Sequence, residues 1–144
     1  MKTFKVNFYT THLFVLVIFF FSFKTNAQAQ FEKALIGTWE IQGTLMGDNG
    51  EGWLAPHKQA DASCEPDHSI FSEDYQAKEI RYGKGCVAKE NTFTWEIEGD
   101  ILTLSKGERK ITWLIHSIED DKMIVGVQAR PGAKNRMYVE YKKR

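Results

Sequence analysis

The chain has little of what several functional classes require. Its longest apolar run, residues 13–23, is about 11 residues, against the roughly 20 an α-helix needs to cross a bilayer. It has 19 Lys and Arg against 19 Asp and Glu, hence no net charge. That balance lacks the basic footprint of a nucleic-acid binder. The 2 cysteines, Cys64 and Cys86, cannot by themselves complete a structural zinc site, which normally takes four ligands. His57, His68, Asp61 and Asp67 lie near Cys64, but their spacing matches no ligand motif, so no metal or cofactor is expected. Gly-x-Ser-x-Gly, His-Glu-x-x-His and a glycine-rich phosphate loop are all missing, and no enzymatic activity is expected. No helical segment between the candidate strands is long enough for a crossover, which excludes a parallel sheet.

What is present begins with a basic start. Lys2 and Lys5 precede the apolar run, and Ala27-Gln28-Ala29 supplies a small-x-small exit. Together these predict a secretory signal peptide over residues 1–29 and one mature domain over residues 30–144. The alternative is an uncleaved anchor, for which the run is short. No cysteine near the cut offers a lipid attachment point, so no stable membrane anchor is expected after cleavage. The expected location is periplasmic or secreted. Cleavage would remove Lys2, Lys5 and Lys24 and no acid, leaving 16 basic against 19 acidic residues. In an oxidising compartment the two cysteines read as a disulfide. The loop it closes, about 22 residues, is worth on the order of 3 kcal/mol in the chain-entropy model.

The mature sequence reads as strands joined by short turns. Helical periodicity is confined to one turn near residues 31–35, suited to capping an end. From Gly37 the period is two, with Trp39, Ile41, Gly43 and Leu45 opposite Thr38, Glu40, Gln42 and Thr44. Residues 47–63 hold Gly47, Gly50, Gly52 and Pro56, which favours an irregular segment. A connection of roughly 17 residues is long for a compact domain and is often a lid or binding loop. Further strands are expected over residues 68–72, 76–83, 92–98, 101–105, 109–118, 123–129 and 136–142. Eight antiparallel strands leave two open edges unless the sheet closes. An up-and-down barrel removes both edges and leaves room for side chains or one small ligand. A two-sheet sandwich is the competing architecture, but it usually needs longer connections than this chain supplies.

Leu35-Ile36-Gly37-Thr38-Trp39-Glu40 carries a Gly-x-Trp signature. The stretch from Asn91 to Leu104 runs a tryptophan-bearing strand directly into a Leu-Thr-Leu strand. These features resemble the bacterial lipocalin-like domain family, over about residues 35–141. The cysteine placement also fits many of its exported members. The resemblance implies an all-β, eight-stranded antiparallel up-and-down barrel with a short N-terminal helical turn. It implies that Gly37 admits the chain to the first strand and that Trp39 closes one end. It further implies an arginine near the last strand stacked over Trp39, for which Arg136 is the nearest match by position.

A binding role fits better than catalysis. Phe71, Tyr82, Phe93, Trp95, Trp113 and Tyr141 are aromatic residues suited either to a packed core or to the lining of a pocket. Trp53 and Leu54, in the glycine-rich segment, must cover something or stay exposed. The expected ligand-binding set is therefore Trp53, Leu54, Tyr82, Phe93, Trp95 and Trp113, with residues 47–63 as a lid. Two functions follow: a carrier of a small hydrophobic ligand in the barrel mouth, or a solid interaction or inhibitor module acting through its loops.

Overall fold

A computed structural model describes residues 28–144 apart from 129, 131 and 134. The expected signal segment lies outside it up to residue 27. Residues 28–35 form a short helix, α1. Nine strands follow: β1 (Gly37–Met46), β2 (Trp53–Pro56), β3 (His68–Phe71), β4 (Gln76–Tyr82), β5 (Ala88–Glu98), β6 (Ile101–Lys106), β7 (Arg109–Glu119), β8 (Lys122–Gln128) and β9 (Arg136–Lys143). Each strand from β3 to β9 pairs antiparallel with the next, and β9 returns to pair with β1. The sheet is therefore a closed barrel, and closure removes the free edges an eight-stranded sheet would otherwise expose.

The nine strands fill eight positions, because β2 and β3 share one. β2 pairs with the second half of β1, from Gly43 with Pro56 to Met46 with Trp53. β3 pairs with the first half, from Gly37 with Phe71 to Glu40 with His68. Between them the chain leaves the wall and returns. The His57 amide still donates to the Gln42 carbonyl at 2.8 Å, and the Ile41 amide donates to the Asp67 carbonyl at 3.1 Å. The expected irregular segment is thus three different things: a 3-10 turn over Asp48–Gly50, the strand β2, and an excursion over residues 57–67. The 3-10 turn packs on the outer wall, where a side chain added at Gly50 would meet Tyr138 and His116.

Two glycines are demanded by geometry. Gly37 enters β1 at φ 135°, a region other residues rarely adopt. At Gly43 a side-chain carbon would lie 2.2 Å from the Ala55 carbonyl oxygen. Only glycine lets β2 fold back this closely, just past the irregularity between Ile41 and Gly43 in the pairing with β9.

α1 plugs the end at which β1 begins. Leu35 is fully buried and Phe31 packs on the core. The Gln28 side-chain amide donates to the Ile97 carbonyl at 2.9 Å. Trp39, also fully buried, donates its indole N–H to the Leu35 carbonyl at 2.7 Å. The cation over its ring is Lys143, whose Nζ stands 5.1 Å from the ring centroid and donates to the Ala34 carbonyl at 3.0 Å. Arg136 does not hold this place. It opens β9 at the far end of the barrel and donates to the Gly126 carbonyl at 3.2 Å. Register decides the assignment, because Trp39 faces Lys143 across the β1–β9 ladder.

Candidate functional site

Alternate residues of each strand face the interior, and their burial falls steadily from the plugged end to the opposite end. On β5, Ile97, Trp95 and Phe93 are buried, Asn91 is half-buried and Lys89 is exposed. On β9, Tyr141 is buried, Val139 half-buried and Met137 exposed. On β7 the sequence is Ile115, Trp113, Ile111 and Arg109, from buried to exposed. The same gradient on neighbouring strands leaves the interior filled at the plugged end and its inward positions exposed to water at the other.

Aromatic rings make the floor. Phe71 meets Trp95 and Trp113 edge-on, with centroids 6.2 and 6.3 Å apart. Trp113 stacks on Tyr141 at 5.8 Å. Such contacts add about 0.5–1.5 kcal/mol each beyond area burial. The Trp95 indole donates to the Ser72 and Gln76 carbonyls, so this ring is satisfied and fixed. Of the expected binding residues, Phe93, Trp95 and Trp113 are therefore brought together in the packed half, beneath the opening.

Above the floor the interior turns polar on one side. Glu79 and Arg81 follow buried Ala77 in phase on β4 and stand 3.6 Å apart. Both act on the Tyr141 phenol: burial raises its pKa above the ordinary range, Arg81 pulls it down, and Glu79 pushes it up. Asn91 pairs with Glu79, and Lys89 with Arg81. The Lys106 amine lies 3.3 Å from the Asn91 side-chain oxygen and 6.0 Å above the Phe93 ring. The Ser69 hydroxyl, also on the Glu79 level, is buried without a hydrogen-bond partner among the described residues. On the other side, Ile111, Val127, Val139 and Ile41 pack down onto the core. Met137, Met46 and Trp53 stand at the rim, 47, 53 and 66% exposed.

Trp53 thus sits on the rim of the opening, opposite Met46 in the β1–β2 ladder. Leu54 alternates to the other face, opposite Leu45. Tyr82 lies outside, its hydroxyl donating to Glu65 at 2.7 Å. That hydrogen bond holds the Glu65 carboxyl below its usual range and the Tyr82 phenol above its own.

The outer wall at this end is stapled. Cys64 and Cys86 form the expected disulfide, tying the excursion to the β4–β5 turn. Buried Asp67 adds a second clamp. One carboxylate oxygen accepts the Tyr82 amide at 2.7 Å, and the other meets His57 Nε2 at 2.9 Å. Both oxygens are committed to structure.

Glu79, Arg81, Lys89, Asn91, Lys106, Met46 and Met137 are not among the expected binding residues. A signal for them existed: charged or flexible residues continuing an inward phase of two, as Lys106 does after Leu102 and Leu104.

The lipocalin-like domain family matches residues 35–125. No curated protein matches the chain. The fold is similar to the crystal structure of an uncharacterized protein from Bacteroides eggerthii, with a TM-score of 0.52 at 10% identity, covering 75% of this chain and 98% of that one. The family match spans well over half of the chain and includes the strand opened by Gly37 and Trp39, and this protein belongs to the lipocalin-like domain family.

Proposed function

We propose that the protein is an exported carrier of a small, largely apolar molecule held in the open end of the barrel. The observation supporting this reading is the burial gradient, which leaves Met46, Trp53 and Met137 at inward positions yet exposed to water. Apolar side chains in phase with a core but uncovered are what a concave ligand site offers. The disulfide supports export, since such bonds persist in oxidising compartments. The pair of half-buried His57 and buried Asp67 is used to hold the wall, which favours binding over catalysis.

Tryptophan emission tests the reading. Of the 4 tryptophans, Trp39, Trp95 and Trp113 are buried and Trp53 is exposed. A ligand in the opening should shift the red component of the emission to the blue. Trp53→Ala should abolish that response while moving stability by only about 0.5 kcal/mol, as surface changes do. Absence of any shift with apolar ligands, together with no small molecule in native mass spectra, would favour the interaction module instead. A large stability loss in Trp53→Ala would show that Trp53 belongs to the core.

A further inference from the structure

The two walls of the opening differ in chemistry. Inward positions of β4, β5, β6 and β7 at the open end carry Arg81, Lys89, Lys106 and Arg109, with Glu79 the acid among them. The facing positions on β1, β2 and β9 carry Met46, Trp53 and Met137. On the outer wall, cations pair with acids: Lys78 with Glu90 at 3.4 Å and Lys122 with Glu140 at 2.9 Å. Lys89, Lys106 and Arg109 form no ion pair among the described residues. The mature sequence would be acidic overall, so four cations collected at one end are a segregated charge rather than a sample of the surface.

We propose that the ligand is a single-chain amphiphile with an anionic head group. This rests on the carrier reading and specifies its ligand. The head group would sit against the Lys106 amine, above the Phe93 ring and beside Asn91, with Arg109 paired to Lys106 across the β6–β7 ladder. The chain would lie across the opening onto Met137, Met46 and Trp53. The closed aromatic floor sets the shape of the site: it is shallow, and it takes a ligand lying across the mouth rather than one threaded down the axis. A neutral amphiphile of the same length would gain the apolar wall alone, and a cationic one would meet repulsion.

Titration calorimetry with four twelve-carbon ligands below their micellar concentrations tests this. Laurate and dodecyl phosphate should each bind at least about tenfold tighter than dodecanol, the size of a charge-assisted hydrogen bond. Dodecyltrimethylammonium should not bind. Lys106→Met and Lys89→Met should each bring laurate toward dodecanol while leaving dodecanol unchanged, and raised salt should do the same. Both lysines are exposed, so these variants should fold as the parent does. Preference for laurate over dodecyl phosphate would identify a free carboxylate ligand, and the reverse a phosphate head group; either supports the anionic site. Equal affinity for dodecanol and laurate overturns the anionic head group and leaves the carrier intact. No binding of any of the four overturns both.

Discussion

Tyr141 is the side chain through which the packed half of the barrel meets its polar half. Its ring stacks on Trp113, and its hydroxyl faces Arg81 and Glu79. Burial outweighs the pull of Arg81, so the phenol stays protonated in the folded protein well beyond the ordinary tyrosine range. In the unfolded chain it ionises near pH 10. Above that pH the native state holds a proton that the unfolded state has lost. The contribution is fully present below pH 10, and as pH rises toward the native pKa it falls by about 1.4 kcal/mol per pH unit. Denaturant unfolding at pH 9 and pH 11 should therefore show a steeper alkaline loss for the parent than for Tyr141→Phe. Equal slopes would mean the phenol is solvated. The same residue scale explains the misplacement of the basic partner of Trp39. Position along the chain points to Arg136, but the partner is fixed by which residue of β9 faces Trp39, and the ladder puts Lys143 there.

The elements separate into those visible in sequence and those visible only through pairing. Strands β3, β4 and β6 to β9 announce themselves because core-facing residues alternate with solvent-facing ones, and short turns fix their order. β2 does not. Its four residues end in Pro56 and follow three glycines, a composition that speaks for a loop. It is a strand because Gly43 allows β1 to receive it, and because its far edge forms no ladder to β4 among the described residues, Pro56 costs little there. The sequence alternation starts β5 at Thr92, whereas the strand begins at Ala88, since Lys89 and Asn91 replace the apolar residues that would extend the alternation. This is the physical reason the site was harder to read than the fold. Where the interior meets water, hydrophobic periodicity fades, and the residues that matter most look like a turn. The excursion over residues 57–67 is likewise set by long-range links. With the bridge spanning a separation of 22 residues, Cys64→Ser combined with Cys86→Ser should lower unfolding free energy by on the order of 3 kcal/mol. Far-ultraviolet dichroism should be retained, because Asp67 still ties the excursion to β4 and β1. Collapse of the sheet in that variant would show that the bridge organises the strand pairing itself.

At the scale of the whole molecule, the packed core and the proposed binding surface occupy opposite ends of one barrel. The plugged end gathers Leu35, Trp39, the aromatic floor and the Lys143 contact to α1. The open end gathers Lys89, Lys106 and Arg109, which form no ion pair among the described residues, and uncovered apolar side chains. A barrel wall joins the two. Leu35→Ala should remove a fully buried side chain and cost about 2–5 kcal/mol of unfolding free energy. Lys106→Met, at the exposed rim, should cost no more than about 0.5 kcal/mol. If the ends are independent, the double variant should be destabilised by the sum of the two within about 0.5 kcal/mol, and Leu35→Ala should leave laurate affinity within about twofold of the parent. Denaturant curves and calorimetry on the four proteins of this cycle decide the matter. A coupling well above that limit, or a loss of affinity in Leu35→Ala, would mean the plug shapes the opening through the aromatic floor. Additivity would establish a barrel whose closed end can be stabilised or weakened without altering what its mouth recognises.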